Sequence, residues 1–344
     1  MEQINSAFTL FLSLMVEAIP FLLLGVFFSG LLTFFVTEQQ LIRWMPKNAL
    51  LGALFGSCVG FLFPVCECGN VPVARRLLVQ GASPSVAIGF LLAAPTINPI
   101  VFWATWTAFR DQPEIVFLRV GLSLLIATLI GWIFSFQKDL TPFLRPSLAA
   151  IVNLRAEEND PNYRAAQTTA PISPLLQSGT FFLGQSQQAL PTYDAESMQA
   201  AVMNLVKQPI ALRIKLLIEG MVQELRELSG VLILGSLIAA IIQSFVPREV
   251  VLSLGQDPVT SILAMMLLAA IVSICSTVDS FFALSFSATF TTGSLVSFLV
   301  FGPMIDLKAF GLLLTIFKPR AIGYLFGIAA QLTFLAGLVL NFFS

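Results

Sequence analysis

The chain has 344 residues, of which 57% are hydrophobic and 11% charged, with 32 phenylalanines, no histidine and a formal net charge of −1. Soluble domains carry about 25% charged residues, so this composition excludes a soluble globular protein. The near-zero charge without a basic stripe excludes nucleic acid as a partner, and the missing histidine excludes His-based acid–base chemistry.

Residues 1–5 lack the positive region of a cleavable leader, so the first apolar run is expected to be retained as a span. Apolar runs at 18–36, 117–136, 228–246 and 321–343 hold 19 to 23 nearly uncharged residues each. A hydrocarbon core of about 30 Å asks for that length of helix, and the runs are continuous rather than alternating, so helices rather than barrel strands are expected. In chain order the first part reads as a long helix (6–36), a second (49–65), a short ambiguous segment (70–82), an interrupted span (85–109) and a last helix (117–136). Residues 137–213 turn to Gln, Ser, Thr, Pro and mixed charge and read as a polar, largely disordered linker. The same series then returns at 214–246, 259–274, 276–291, 294–317 and 321–343.

The return is visible in the residues themselves. EAIPFLLLG (17–25) matches ELSGVLILG (227–235) at an offset of 210, and FLLAAPTIN (90–98) matches FLVFGPMID (298–306) at 208. The expected fold is therefore all-α and polytopic: two homologous halves (1–136 and 214–344) of four or five transmembrane helices each, separated by the 137–213 linker. Four spans per half would make the halves parallel, five would make them inverted. The loop charges Arg43, Lys47, Arg75, Arg76, Arg110, Arg119, Lys318 and Arg320 fall on both sides, so they orient the chain weakly, toward a cytoplasmic linker. Arg75 and Arg76 are expected to snorkel to the headgroups, and Glu17 and Glu227 to lie solvated at an interface.

Chemistry is expected at two kinds of position. Pro95 and Pro99 interrupt one apolar span and Pro303 the other, leaving Asn98 and Asp306 at equivalent depths. Proline withdraws backbone donors, which a bilayer tolerates only beside protein or a water-filled cavity, and paired broken helices mark transporter substrate sites. Cys66, Glu67 and Cys68 follow the second helix of one half, and Cys275 with Asp279 the second helix of the other. Cys275 falls opposite residue 67 or 68, so three thiols from distant parts of the chain can converge; Cys58 reads as packing. Without histidine, three thiolates suit Cu(I), Zn or a trivalent arsenical. Asp306, with Glu67 or Asp279, is the proton-coupling candidate, because buried carboxylates can load and release protons.

The runs CECGNVPVARR (66–76), GASP (81–84) and LAAPTINP (92–99), with CSTVD (275–279) and GPMID (302–306), resemble the bacterial predicted-permease family that includes the organoarsenical efflux permeases. The resemblance spans both apolar halves and omits the linker. It implies a multi-pass permease of the bacterial inner membrane, not an enzyme, that recognises trivalent organoarsenicals by thiols at Cys66, Cys68 and Cys275 and exports them. The implied partners are the lipid bilayer and a small-molecule or ion substrate, with homo-oligomerisation left open. No cofactor and no resident metal are expected, and the chain lacks a Walker A motif, so ATP could act only through another subunit. Two other readings stand beside it: a membrane thiol oxidoreductase using Cys66 and Cys68, and a non-transporting membrane scaffold.

Overall fold

The computed structural model describes residues 2–35, 45–46, 48–63, 66–136, 143–146, 148–149, 210–245, 257–287 and 289–343. A first set of helices comprises α1 (Glu2–Phe35), α2 (Ala49–Gly60), α3 (Glu67–Val79), α4 (Pro84–Ile97), α5 (Pro99–Ala108) and α6 (Pro113–Ser135). A second set comprises α7 (Ile210–Phe245), α8 (Pro258–Val272), α9 (Ser276–Leu284), α10 (Thr292–Met304), α11 (Leu307–Leu313) and α12 (Pro319–Phe343). The described residues contain no strand, so the all-α polytopic expectation is met. Most of the expected linker, residues 150–209, lies outside the described residues. Its near end is packed: Leu144 and Leu148 are buried, and Leu144 forms an antiparallel bridge with Phe317 beyond α11.

Proline begins five of these helices, at Pro84, Pro99, Pro113, Pro258 and Pro319. The first N–H groups of a helix have no intrahelical acceptor, so proline loses nothing there, and its fixed φ is already helical. The segments Ala7–Leu31, Pro84–Ala108, Pro113–Ser135, Thr292–Leu313 and Pro319–Phe343 are long and apolar enough to cross a membrane. By contrast, α3 has 13 residues and α9 has 9. At about 1.5 Å per residue they reach roughly 20 and 14 Å, well short of the core. The ambiguous segments are thus short helices that do not cross alone.

The innermost elements are α4 and α10, which pack on each other; α2 and α6 cover the first, α8 and α12 the second. Neither exposes a large apolar side chain, whereas Phe8, Val16 and Phe27 on α1, Trp103 on α5, Phe117 on α6 and Phe342 on α12 do. Apolar residues on the outside of such a bundle are what lipid solvates. The two sets also exchange partners, with α5 packed on α9 and α11 packed on α3.

Backbone proximity fixes α1 on α3. A Cβ added at Gly25 would run into the backbone of Gly69, while one at Gly235 on α7 would meet Lys308 Cα and Cγ at an ordinary 3.5 and 4.0 Å. Small residues allow such approach between membrane helices. Gly25→Ala is therefore expected to destabilise the protein by about 1–3 kcal/mol, as overpacking does, and Gly235→Ala by no more than about 0.5 kcal/mol. Thermal unfolding in detergent measures both; equal shifts would contradict the close approach.

Candidate functional site

Aromatic side chains set the depth of the site. Trp106 packs edge-on against Phe117 at the start of α6, and Trp132 packs on Phe136 at its end. Tryptophan favours the two membrane interfaces, so α6 runs from one to the other. Asn98 lies about ten residues before the end of α5, or about 15 Å along a helix, half the hydrocarbon thickness. Here α4 stops and α5 begins, and Asn98 Oδ1 accepts from Val101 N at 2.8 Å. Asp306 does the same between α10 and α11, accepting from Ala309 N. Pro95 and Pro303 lie inside α4 and α10, each three residues before its break, and Pro99 opens α5.

The cysteines occupy matching positions. Cys66 is the residue before the first turn of α3 and Cys275 the residue before that of α9. The Cys66 carbonyl accepts from Gly69 N and Asn70 N at 3.0 and 3.1 Å; the Cys275 carbonyl accepts from Val278 N and Asp279 N at 2.9 and 3.0 Å. Cys275 thus corresponds to Cys66 and not to residue 67 or 68. Neither side chain caps its helix. That position normally holds Ser, Thr, Asp or Asn, whose oxygen would bond the first turn. A thiol there leaves the sulfur free to face elsewhere.

The sulfurs meet. The Cys66 thiol hydrogen-bonds those of Cys68 and Cys275, and the ligand atoms of Cys66, Glu67 and Cys68 lie within 4.8 Å of one another. Cys66, Asn98, Cys275, Ser276 and Thr277, together with Phe21, Ile100 and Val101, line a small cavity of about 10 Å³, room for about one water molecule. Ser276 Oγ is buried and has no hydrogen-bond partner, so the cavity wall keeps a hydroxyl available to a solute. Cys58 is exposed on α2 and does not line the cavity.

Charged groups surround the cavity without lining it. Lys308 Nζ lies 3.6 Å from Glu67 Oε1, both side chains being fully buried. Asp306 interacts electrostatically with the same ammonium. Asp279, also buried, faces Arg119. Ser273, which ends α8 with φ of 45°, turns the chain toward Cys275, and its Oγ accepts from Leu307 N at 3.1 Å. A positive φ in a non-glycine residue is strained, and here the strain joins the end of α8 to the start of α11.

Several charges lie elsewhere than the sequence suggests. Arg75 does not snorkel: it is buried and pairs with Glu227 at 3.0 Å. Glu227 is accordingly half-buried in a salt bridge rather than solvated at an interface. Arg119 is no loop charge but a fully buried residue inside α6. Pro113 was the available signal for Arg119, since a proline at the first helical position moves the start of α6 upstream of it.

A family model described as "Predicted permease" matches residues 3–342. A protein of Bacillus subtilis (strain 168), named UPF0718 protein YcgR, is 36% identical over 318 residues, covering 92% of this chain and 90% of that one. A protein of Streptococcus mutans serotype c, named "Putative two-component membrane permease complex subunit", is 33% identical over 313 residues, covering 91% and 87%. No solved structure matches. With the match running through the thiol cavity, both broken spans and nearly every helix, the chain belongs to the predicted-permease family of multi-pass membrane permeases.

Proposed function

We propose that the chain is a secondary transporter of the bacterial inner membrane that exports a thiophilic solute by alternating access between two homologous halves. One observation carries this reading: the Cys275 thiol meets that of Cys66, whose neighbour is Cys68, although more than 200 residues separate Cys275 from both in the chain. Sulfur ligands select soft centres. The apolar wall of Phe21, Ile100 and Val101 beside the thiols favours a solute with an organic substituent, hence a trivalent organoarsenical over a bare Cu(I) or Zn ion. Asn98 and the free Ser276 hydroxyl offer polar contacts to it. The homology of the halves is supported by the matching positions of Cys66 with Cys275 and of Asn98 with Asp306. Asp306, Glu67 and Asp279 are buried carboxylates close to the cavity, and one of them carries the coupling proton; an ionisable group at this depth is costly without a function.

The reading favours transport over thiol redox chemistry because the cavity also draws on the broken span at Asn98, which a Cys66–Cys68 redox pair would not require. Expression in a sensitive bacterial host should raise tolerance to trivalent organoarsenicals by tenfold or so, and tolerance to copper or zinc by little. A host protected only against copper or zinc would move the substrate to the soft cations. A host protected against none of these would sink the thiophile reading. Because one relative is named for a two-component complex, the chain is expressed alone, so that any protection is its own.

A further inference from the structure

Arg119 is the largest fully buried side chain among the described residues, and it does not line the cavity. From α6 its Nη1 donates to Thr105 Oγ1 on α5 at 2.7 Å and to Ser280 Oγ on α9 at 2.8 Å, and its Nη2 donates to the Ser276 carbonyl at 3.1 Å. One guanidinium thus joins two helices of the first set to the short helix of the second. Both ends of this clamp lead to the cavity. Thr105 Oγ1 donates to the carbonyl of Val101 at 2.7 Å, and Val101 and Ser276 are cavity walls. Ser276 is also the residue that follows Cys275.

The other cysteine is held in a parallel way. Lys308, from the second set, pairs with Glu67, the residue that follows Cys66 in the first. Each cysteine-bearing helix start is therefore gripped, one residue past its cysteine, by a buried cation from the opposite set. Chance packing would have filled these positions with apolar residues, since a buried arginine demands partners for its charge and its donors. Asp279 answers the charge; the hydroxyls and the carbonyl answer the donors.

We propose that Arg119 is a positioning residue of the thiol cavity: its planar fork holds Ser276 against α5 and α6, and so sets Cys275 in register with Cys66. It rests on the thiol cavity being the solute site, but the sulfur register it predicts is measurable without any solute. Lysine keeps the charge and loses the fork, so Arg119→Lys should loosen the register even in a folded protein.

The test uses the full chain with Cys58 and Cys68 replaced by alanine and a protease site inserted within residues 150–209. Membranes are oxidised with copper–phenanthroline and cleaved, and the fraction of the two fragments still joined reports the Cys66–Cys275 disulfide. The parent should join most of its fragments, and Arg119→Lys and Ser280→Ala should lower the rate of joining by fivefold and twofold or more, with Arg110→Lys, on the exposed turn before α6, unchanged. Arg119→Lys joining at the parental rate overturns the proposal. If Arg119→Lys fails to fold, Ser280→Ala decides alone, by the same criterion. A parent that joins its fragments while the unsubstituted chain confers no arsenical tolerance would remove the proposed substrate and leave the register intact.

Discussion

Replacing Lys308 with methionine is expected to destabilise the protein by about 3–5 kcal/mol, the usual consequence of leaving one member of a buried ion pair alone. Glu67 and Lys308 are 3% and 2% exposed, so water cannot take over from the missing ammonium. The effect should be largely reversed by adding Glu67→Gln. A buried pair replaced by neutral groups of similar shape is often as stable as the pair itself, because two desolvation costs disappear with one attraction. Unfolding of the single and double variants in detergent checks both parts. A Lys308→Met protein as stable as the parent would mean that the pair is not buried as described. A double variant no better than the single would mean that Lys308 stabilises through its packing on α3 and not through Glu67.

The second large effect concerns the thiols themselves. Cys66→Ser and Cys275→Ser should each lower arsenical tolerance of the host by tenfold or more while leaving the amount of protein in the membrane unchanged. Serine is nearly isosteric and can cap a helix better than cysteine, so neither change should harm folding; it removes only the soft donor. Cys58→Ser, on the exposed face of α2, should behave as the parent. Loss of tolerance in Cys58→Ser, or full tolerance in both of the others, would place recognition away from the cavity.

The sequence carried the membrane character, the order of the described helices in coarse form and the neighbourhood of the breaks, because apolar runs and interior prolines act locally. Pro95 and Pro303 mark the breaks to within three residues; the next helices start after Asn98 and Asp306, whose side chains cap them. The repeated register brought Cys275 to the neighbourhood of Cys66 and Cys68 but set it opposite residue 67 or 68; only the helix starts match it to Cys66. What stayed hidden was which helix packs on which. Helices apolar all round show no stripe to say which side faces a neighbour, so the exchange of α5 onto α9 and α11 onto α3 had no local signature. The same blindness misplaced Arg75, whose partner Glu227 lies 152 residues away, and Arg119, whose acceptors on α9 lie about as far. A charge inside an apolar run reads as an end of the run until its partner is seen.

The most direct measurement of the central claim is uptake of a trivalent organoarsenical into everted membrane vesicles that carry this chain alone, with and without an imposed proton gradient. Gradient-dependent accumulation in parent vesicles, lost in Cys66→Ser and Cys275→Ser and reduced in Asp306→Asn, is the predicted result. Accumulation that is the same in parent and cysteine-variant vesicles, or absent from both while the protein is folded, would contradict it.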